Sequence, residues 1–201
     1  MMIFSASMLS QKLNNYSDPA GRIMRMKKSG EIISLVRGLY QDDKTVPAHL
    51  MAGAIYGPSY ISFEYALSYY GLIPEAVYTV TSATYEKKKI KEYSNFFGNY
   101  YYHDIPAEAY PFGVSLSEEN GYQFLIASPE KALCDKLCIM PPVTSQKDIK
   151  KLLFEDLRID RALFYTLSFG DIFEIGDKYH SNNIKYLIKF LKKEQSNEQH
   201  N

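Results

Sequence analysis

The sequence predicts an α+β protein. An abbreviated N-terminal winged helix-turn-helix is followed by a mixed or antiparallel sheet domain with a helical C-terminal part. Three observations carry this expectation. The first forty residues alternate short helical and strand patterns around a basic helix. Residues 76–127 hold several strand-like runs joined by short loops. Beyond residue 128 the apolar spacing is helical almost to the end. With 201 residues and 46% hydrophobic side chains, the chain can bury a real core and is too apolar for wholesale disorder. The expected division is 1–42 for the first module, 43–195 for the second domain and 196–201 for a polar tail.

Each element has its own reason. Residues 7–13 place Met8, Leu9 and Leu13 at helical spacing. Asn14 to Ser17 make a turn. Asp18 followed by Pro19 is a helix start, because Asp accepts first-turn amides and Pro needs no donor there. That helix should run to about Ser29 and stop at Gly30. Ala20, Ile23 and Met24, with Met26 or Lys27, form its expected inward stripe. Arg22, Arg25 and Lys28 or Ser29 should share another face. Residues 32–36 are β-branched and strand-like, Arg37-Gly38 makes a tight turn, and Leu39-Tyr40 begin the return.

The second domain opens with a short helix near Pro47. Phe63, Ala66, Leu67 and Tyr70 give a helical stripe ended by Gly71. Strands are expected at 76–81, weakly at 87–93, at 100–103, at 113–116 and most clearly at 122–127. Strands that follow one another with short loops favour an antiparallel or mixed sheet with helices to one side. Ser128-Pro129-Glu130 is a capped helix start, and Pro141-Pro142 ends that helix. Further helices are expected at about 145–156, 159–168, 170–179 and 181–194.

The charge balance sharpens the reading. Lys+Arg and Asp+Glu both total 23, so the net charge is zero. Residues 1–40 nevertheless carry six basic side chains (Lys12, Arg22, Arg25, Lys27, Lys28, Arg37) against Asp18 and Glu31, a net +4. The remainder carries 17 basic and 21 acidic side chains, a net −4. A basic front points to a nucleic-acid-facing segment, although a solvated helix face gives the same count. Arg22 and Arg25 suit bidentate contacts to guanine edges or phosphate; Lys27 and Lys28 suit phosphate. Arg37, at the hairpin tip, is placed for backbone or minor groove.

Catalytic patterns are weak. His49, His103, His180 and His200 are far apart, and no HExxH, GxGxxG, GxxxxGK[ST] or GxSxG motif occurs. Neither a metal site nor a cofactor is expected. Glu130, Lys131 and Asp135 have nuclease-like residue types, but their spacing fits a capped, partly exposed helix. His103-Asp104 reads as a strand end. Tyr100, Tyr101 and Tyr102 put two rings on one sheet face and one on the other, as core packing does. The Lys87–Lys91 run reads as solvated, or else as a second phosphate contact or a partner surface. Cys134 and Cys138, four apart on one helix, are poorly placed for a disulfide and read as small buried thiols. Without a signal-like start or a membrane-length apolar run, a cytoplasmic protein is expected.

The order of motifs resembles the AbiE-type abortive-infection antitoxin family. The residues that carry this are Arg37-Gly38-Leu39-Tyr40, the stretch from Ser62 to Pro74, and Ala127 to Asp135. Together with the basic helix they span roughly residues 20–140. The resemblance implies a non-enzymatic antitoxin and transcriptional autorepressor whose functional partner is a nucleotidyltransferase-like toxin. It implies operator DNA as ligand of the N-terminal module, with contacts from Arg22, Arg25, Lys27, Lys28 and Arg37. A winged helix usually carries a helix ahead of its two-helix core. Only about six residues precede this one, so the module is expected to be abbreviated.

Overall fold

A computed structural model of the chain describes residues 3–198. It is an α+β protein built on two sheets. Strand β1 (Ile3–Ser5) leads into helix α1 (Ala6–Lys12), capped by the Ser5 hydroxyl on the Met8 amide. Helix α2 (Pro19–Ser29) is capped by Asp18, whose carboxylate accepts the Gly21 amide at 2.8 Å. It ends at Gly30, held in left-handed backbone at φ 75°, a conformation that costs glycine little. Strands β2 (Ile33–Val36) and β3 (Leu39–Gln41) form the expected hairpin around Arg37-Gly38. The unexpected β1 pairs with β3, so the sheet order is β1-β3-β2.

The second sheet has the order β6-β7-β5-β4-β9-β8 and is mixed. Its strands are β4 (Tyr60–Ile61), β5 (Val80–Thr84), β6 (Lys91–Asn95), β7 (Gly98–Asp104), β8 (Val114–Glu119) and β9 (Tyr122–Ala127). The β5–β7 and β4–β9 pairs are parallel; the other pairs are antiparallel. Strand β5 lies deep in the sheet, and all five of its residues are buried. Two expectations shift here. The strand placed at 76–81 begins at Val80, and Tyr78 before it is 87% exposed. The strand placed at 87–93 begins at Lys91, because the backbone at Glu86 and Lys88 turns with positive φ.

Helices cover both sheet faces. On one side lies α4 (Phe63–Tyr69), with α5 (Pro129–Ile139) against it. On the other lie a 3₁₀ turn at Ala48–Met51 and α3 (Ala52–Ile55). Strand β7 separates the two sides. Tyr102 donates to the Ala52 carbonyl at 2.8 Å and meets the Tyr56 ring, while His103 faces the Phe63 ring. Tyr100 and Tyr102 are buried together, so the tyrosine triplet packs the core as its alternation implies.

Helix α5 is capped by Ser128 on the Lys131 amide and opened by Pro129. It touches α8 (Phe169–Gly176) and α9 (Asn182–Glu198) as well as α4 and β9. Short helices α6 (Gln146–Lys151) and α7 (Arg161–Phe164), with a π-helical turn at Leu152–Asp156 between them, complete this layer. The polar tail expected from residue 196 continues α9 as far as Glu198; residues 199–201 and 1–2 lie outside the described residues.

The core is unequally divided. One large cluster runs through both faces of the six-stranded sheet and includes Leu35 of β2. A small one joins Phe4, Leu9 and Ile32, with Ile23, Met26 and Tyr40 partly buried against it. Two side-chain bonds stitch the three-stranded sheet to the larger one: Gln41 donates to the Tyr122 hydroxyl at 3.1 Å, and Asn95 to the Leu35 carbonyl at 3.2 Å.

Candidate nucleic-acid interface

Helix α2 shows where the expected contact residues stand. At about 100° per residue, Ile23 and Met26 mark its buried side, and the opposite side centres near Lys28, with Met24 and Arg25 flanking it. Met24 is 73% exposed, and Ala20 is exposed beside it. Of the expected inward stripe, Ile23 and Met26 pack on the small core while Ala20 and Met24 are exposed. Arg22 is partly buried on the side next to Ile23 and Met26.

Arg22 is held within the module. Its guanidinium lies 3.3 Å from Glu31 and 5.8 Å from the centre of the Tyr16 ring. Glu31 accepts in addition from the Ser29 hydroxyl at 2.7 Å. Arg22 thus ties the inter-helix turn, α2 and the entry to the hairpin together. Arg25 and Lys28, its neighbours three and six residues on, stand more exposed than Arg22 does. Arg25 stands on the flank of the exposed side, 61% exposed at its side chain and 3.8 Å from Asp18. Lys27 and Lys28 are exposed in the last turn, and Arg37 is exposed at the hairpin tip. The outward set is Arg25, Lys27, Lys28 and Arg37.

Sequence reasoning missed one further cation. Lys44 leans over Gly30, and with Lys27, Ile32 and Phe96 it lines a shallow groove of about 340 Å³ at the C-terminal end of α2. A module boundary drawn at residue 42 leaves Lys44 outside, so only the tertiary fold brings it in.

The other candidate chemistry resolves differently. Lys131 and Asp135, expected on a partly exposed helix, are both fully buried. The Lys131 ammonium donates to the Ala109 carbonyl at 2.7 Å and to the Tyr179 hydroxyl at 2.5 Å, and lies 3.1 Å from the Asp135 carboxylate. One Asp135 oxygen also accepts from Tyr179. The other accepts from Tyr60 at 3.0 Å and Ser62 at 2.6 Å. Three donors meet three acceptors on the lysine, and the carboxylate is filled on both sides. Burial pulls the Lys131 ammonium below its ordinary value while Asp135 opposes this. Burial, then the Asp135 charge, pushes the Tyr60 and Tyr179 hydroxyls up. This is a closed, saturated network; no polar edge is left to meet a substrate.

Glu130 is turned away from that network and accepts the Ser168 amide at 3.0 Å. Asp104 accepts the Thr84 hydroxyl and the Lys88 amide, both at 2.6 Å, which fixes the loop bearing the lysine run. Cys134 and Cys138 are unbridged, and burial raises the Cys138 thiol to about 11, so it stays protonated and inert. Among the described residues, no group of three or more His, Cys, Asp or Glu is placed to hold a metal ion. No helix among them is long and apolar enough to cross a membrane. No protein-family model matches the chain, and no curated protein matches it.

Proposed function

We propose that this chain is a DNA-binding antitoxin that represses its own operon, with residues 3–41 as the reader and the larger sheet domain countering a nucleotidyltransferase-like toxin. One observation carries the DNA reading: Arg25, Lys27, Lys28 and Arg37 are all exposed, on a capped helix and its adjoining hairpin tip. The β1-β3-β2 sheet packed against the two helices suits a winged helix-turn-helix. The antitoxin reading rests on the motif order from Arg37 to Asp135. No catalytic role is proposed, since Lys131 and Asp135 are sealed from solvent.

A gel-shift titration on the DNA upstream of the reading frame, at several salt concentrations, tests the reader. Arg25→Ala with Lys28→Ala should abolish the shift; unchanged binding overturns the assignment. Co-expression with the neighbouring gene tests the antitoxin reading: growth arrest by that gene alone, relieved by this chain, is the expected result.

A second reading, a protein-docking module without DNA affinity, is favoured by one observation. Arg22 and Arg25 already have acidic neighbours in Glu31 and Asp18. It predicts co-purification with the toxin and no salt-dependent DNA binding.

A further inference from the structure

Part of the exposed side of α2 is apolar over its first two turns. Its most prominent side chain is Met24, 73% exposed, flanked by Ala20 one turn earlier and Lys28 one turn later. Arg22, the residue best suited by type to read guanine in this half of the helix, is drawn inward onto Glu31 and Tyr16. The first two turns thus offer the outside a small methyl and a long thioether. Arg25 stands beside Met24, and Lys27 and Lys28 stand in the last turn.

Covering Met24 with a ligand removes apolar surface from water, a favourable change. The surrounding charge says which kind. Arg25, Lys27 and Lys28 are exposed on the same helix, and the first forty residues carry a net +4. A polyanion with apolar groups on its inner surface is the complementary ligand. In duplex DNA the major groove has phosphates along both walls, and the thymine C5-methyl is the apolar group displayed on its floor.

We infer that Met24, with Ala20, reads thymine methyl groups in the major groove, and that Arg22 is a positioning residue that makes no DNA contact. The inference rests on the DNA-binding reading and deepens it. Lysines at the helix end hold the phosphates, Arg25 is left as the base-edge donor, and Met24 sorts sequences by their methyl groups. The flexible thioether adapts to more than one thymine position.

The test uses the full chain and the DNA segment upstream of its reading frame, prepared once with thymidine and once with deoxyuridine triphosphate. Fluorescence anisotropy compares the two at fixed salt. Burial of one methyl group predicts roughly fourfold tighter binding to the thymine duplex per methyl covered. Met24→Ala should bring the two affinities together while leaving Tm unchanged, because the side chain packs little. Arg22→Gln should lower Tm and leave the salt dependence as it was. Equal affinity of the unaltered chain for both duplexes overturns the inference and leaves the DNA reading standing. Absence of binding to either duplex overturns both. A thymine preference that survives Met24→Ala assigns the methyl contact elsewhere and likewise overturns the proposal. Loss of a co-purifying protein in Met24→Ala, without DNA binding, shows that a protein covers Met24.

Discussion

Lys131 and Asp135 sit one helical turn apart with no solvent contact, and every hydrogen-bonding position on both is used. Taking two charges out of water is costly, and only complete pairing offsets that cost. Removing one partner should therefore be worse than removing both. Lys131→Met leaves Asp135 charged and buried, and should destabilise by about 3–5 kcal/mol in urea unfolding. Adding Asp135→Leu should restore part of this. Full restoration is not expected, because Tyr60, Ser62 and Tyr179 then lose their acceptor. His103 gives a pH signature. Burial beside Phe63 and Tyr101 holds its pKa below the usual value. Below about pH 6.5 the unfolded chain takes up a proton that the folded one resists. Stability should be full above that pH, fall as pH drops through the window, and level off below the folded pKa. His103→Gln should flatten that slope in thermal melts read across the window. Neither site was legible from residue types. Buried Lys and Asp are rare enough that a helix reading places them outside, and only the tyrosines brought from distant positions make their burial possible.

Helix α2 was legible in its ends and misread in its phase. Asp18-Pro19 and Gly30 mark its limits through local chemistry that operates whatever packs nearby. Its rotation is set by the core behind it. Ile23 and Met26 face that core, so Met24 must face away, although its residue type suggests burial. The cap offers a clean test of the exposed face. Asp18→Asn keeps a good capping side chain and removes the negative charge 3.8 Å from Arg25. Tm should hold within about 1 °C while DNA affinity rises about twofold to tenfold; weaker binding would mean Asp18 itself supports the contact. Two strands escaped notice because they are too short to show alternation: β1 has three residues and β4 two. Strand β5 was misplaced by four residues for another reason. It is buried on both faces, so it lacks alternation, and the β-branched run VYTVT, which overlaps only its first two residues, draws the expected strand too early.

At the scale of the whole molecule, the zero net charge conceals a basic front and an acidic remainder. If Lys27, Lys28 and Arg37 each meet a phosphate, log K against log salt should have a slope of about −3. Each of these changed singly to Ala should make the slope shallower by about one, and Arg22→Ala should not. A flat salt response would remove the reader from the account. The α+β architecture followed from patterning, because helical and strand periods differ and each survives in local sequence. The site did not follow as directly. A contact face depends on which pole of a helix the core claims, and on residues such as Lys44 that join from across a boundary.

The two clusters also differ in size, and this has a consequence in time. Phe4, Leu9 and Ile32 alone form the buried centre of the first module, whereas Leu35 of its hairpin is anchored in the large core. A centre so small opens by local fluctuation at a fraction of the free energy of global unfolding. Amide protons of α1 and α2 should exchange with solvent long before those of β5, and the hairpin should remain as a tether while they do. Warming would then free the two helices from their own sheet first. Any repression they exert would lapse reversibly while the larger domain stayed folded.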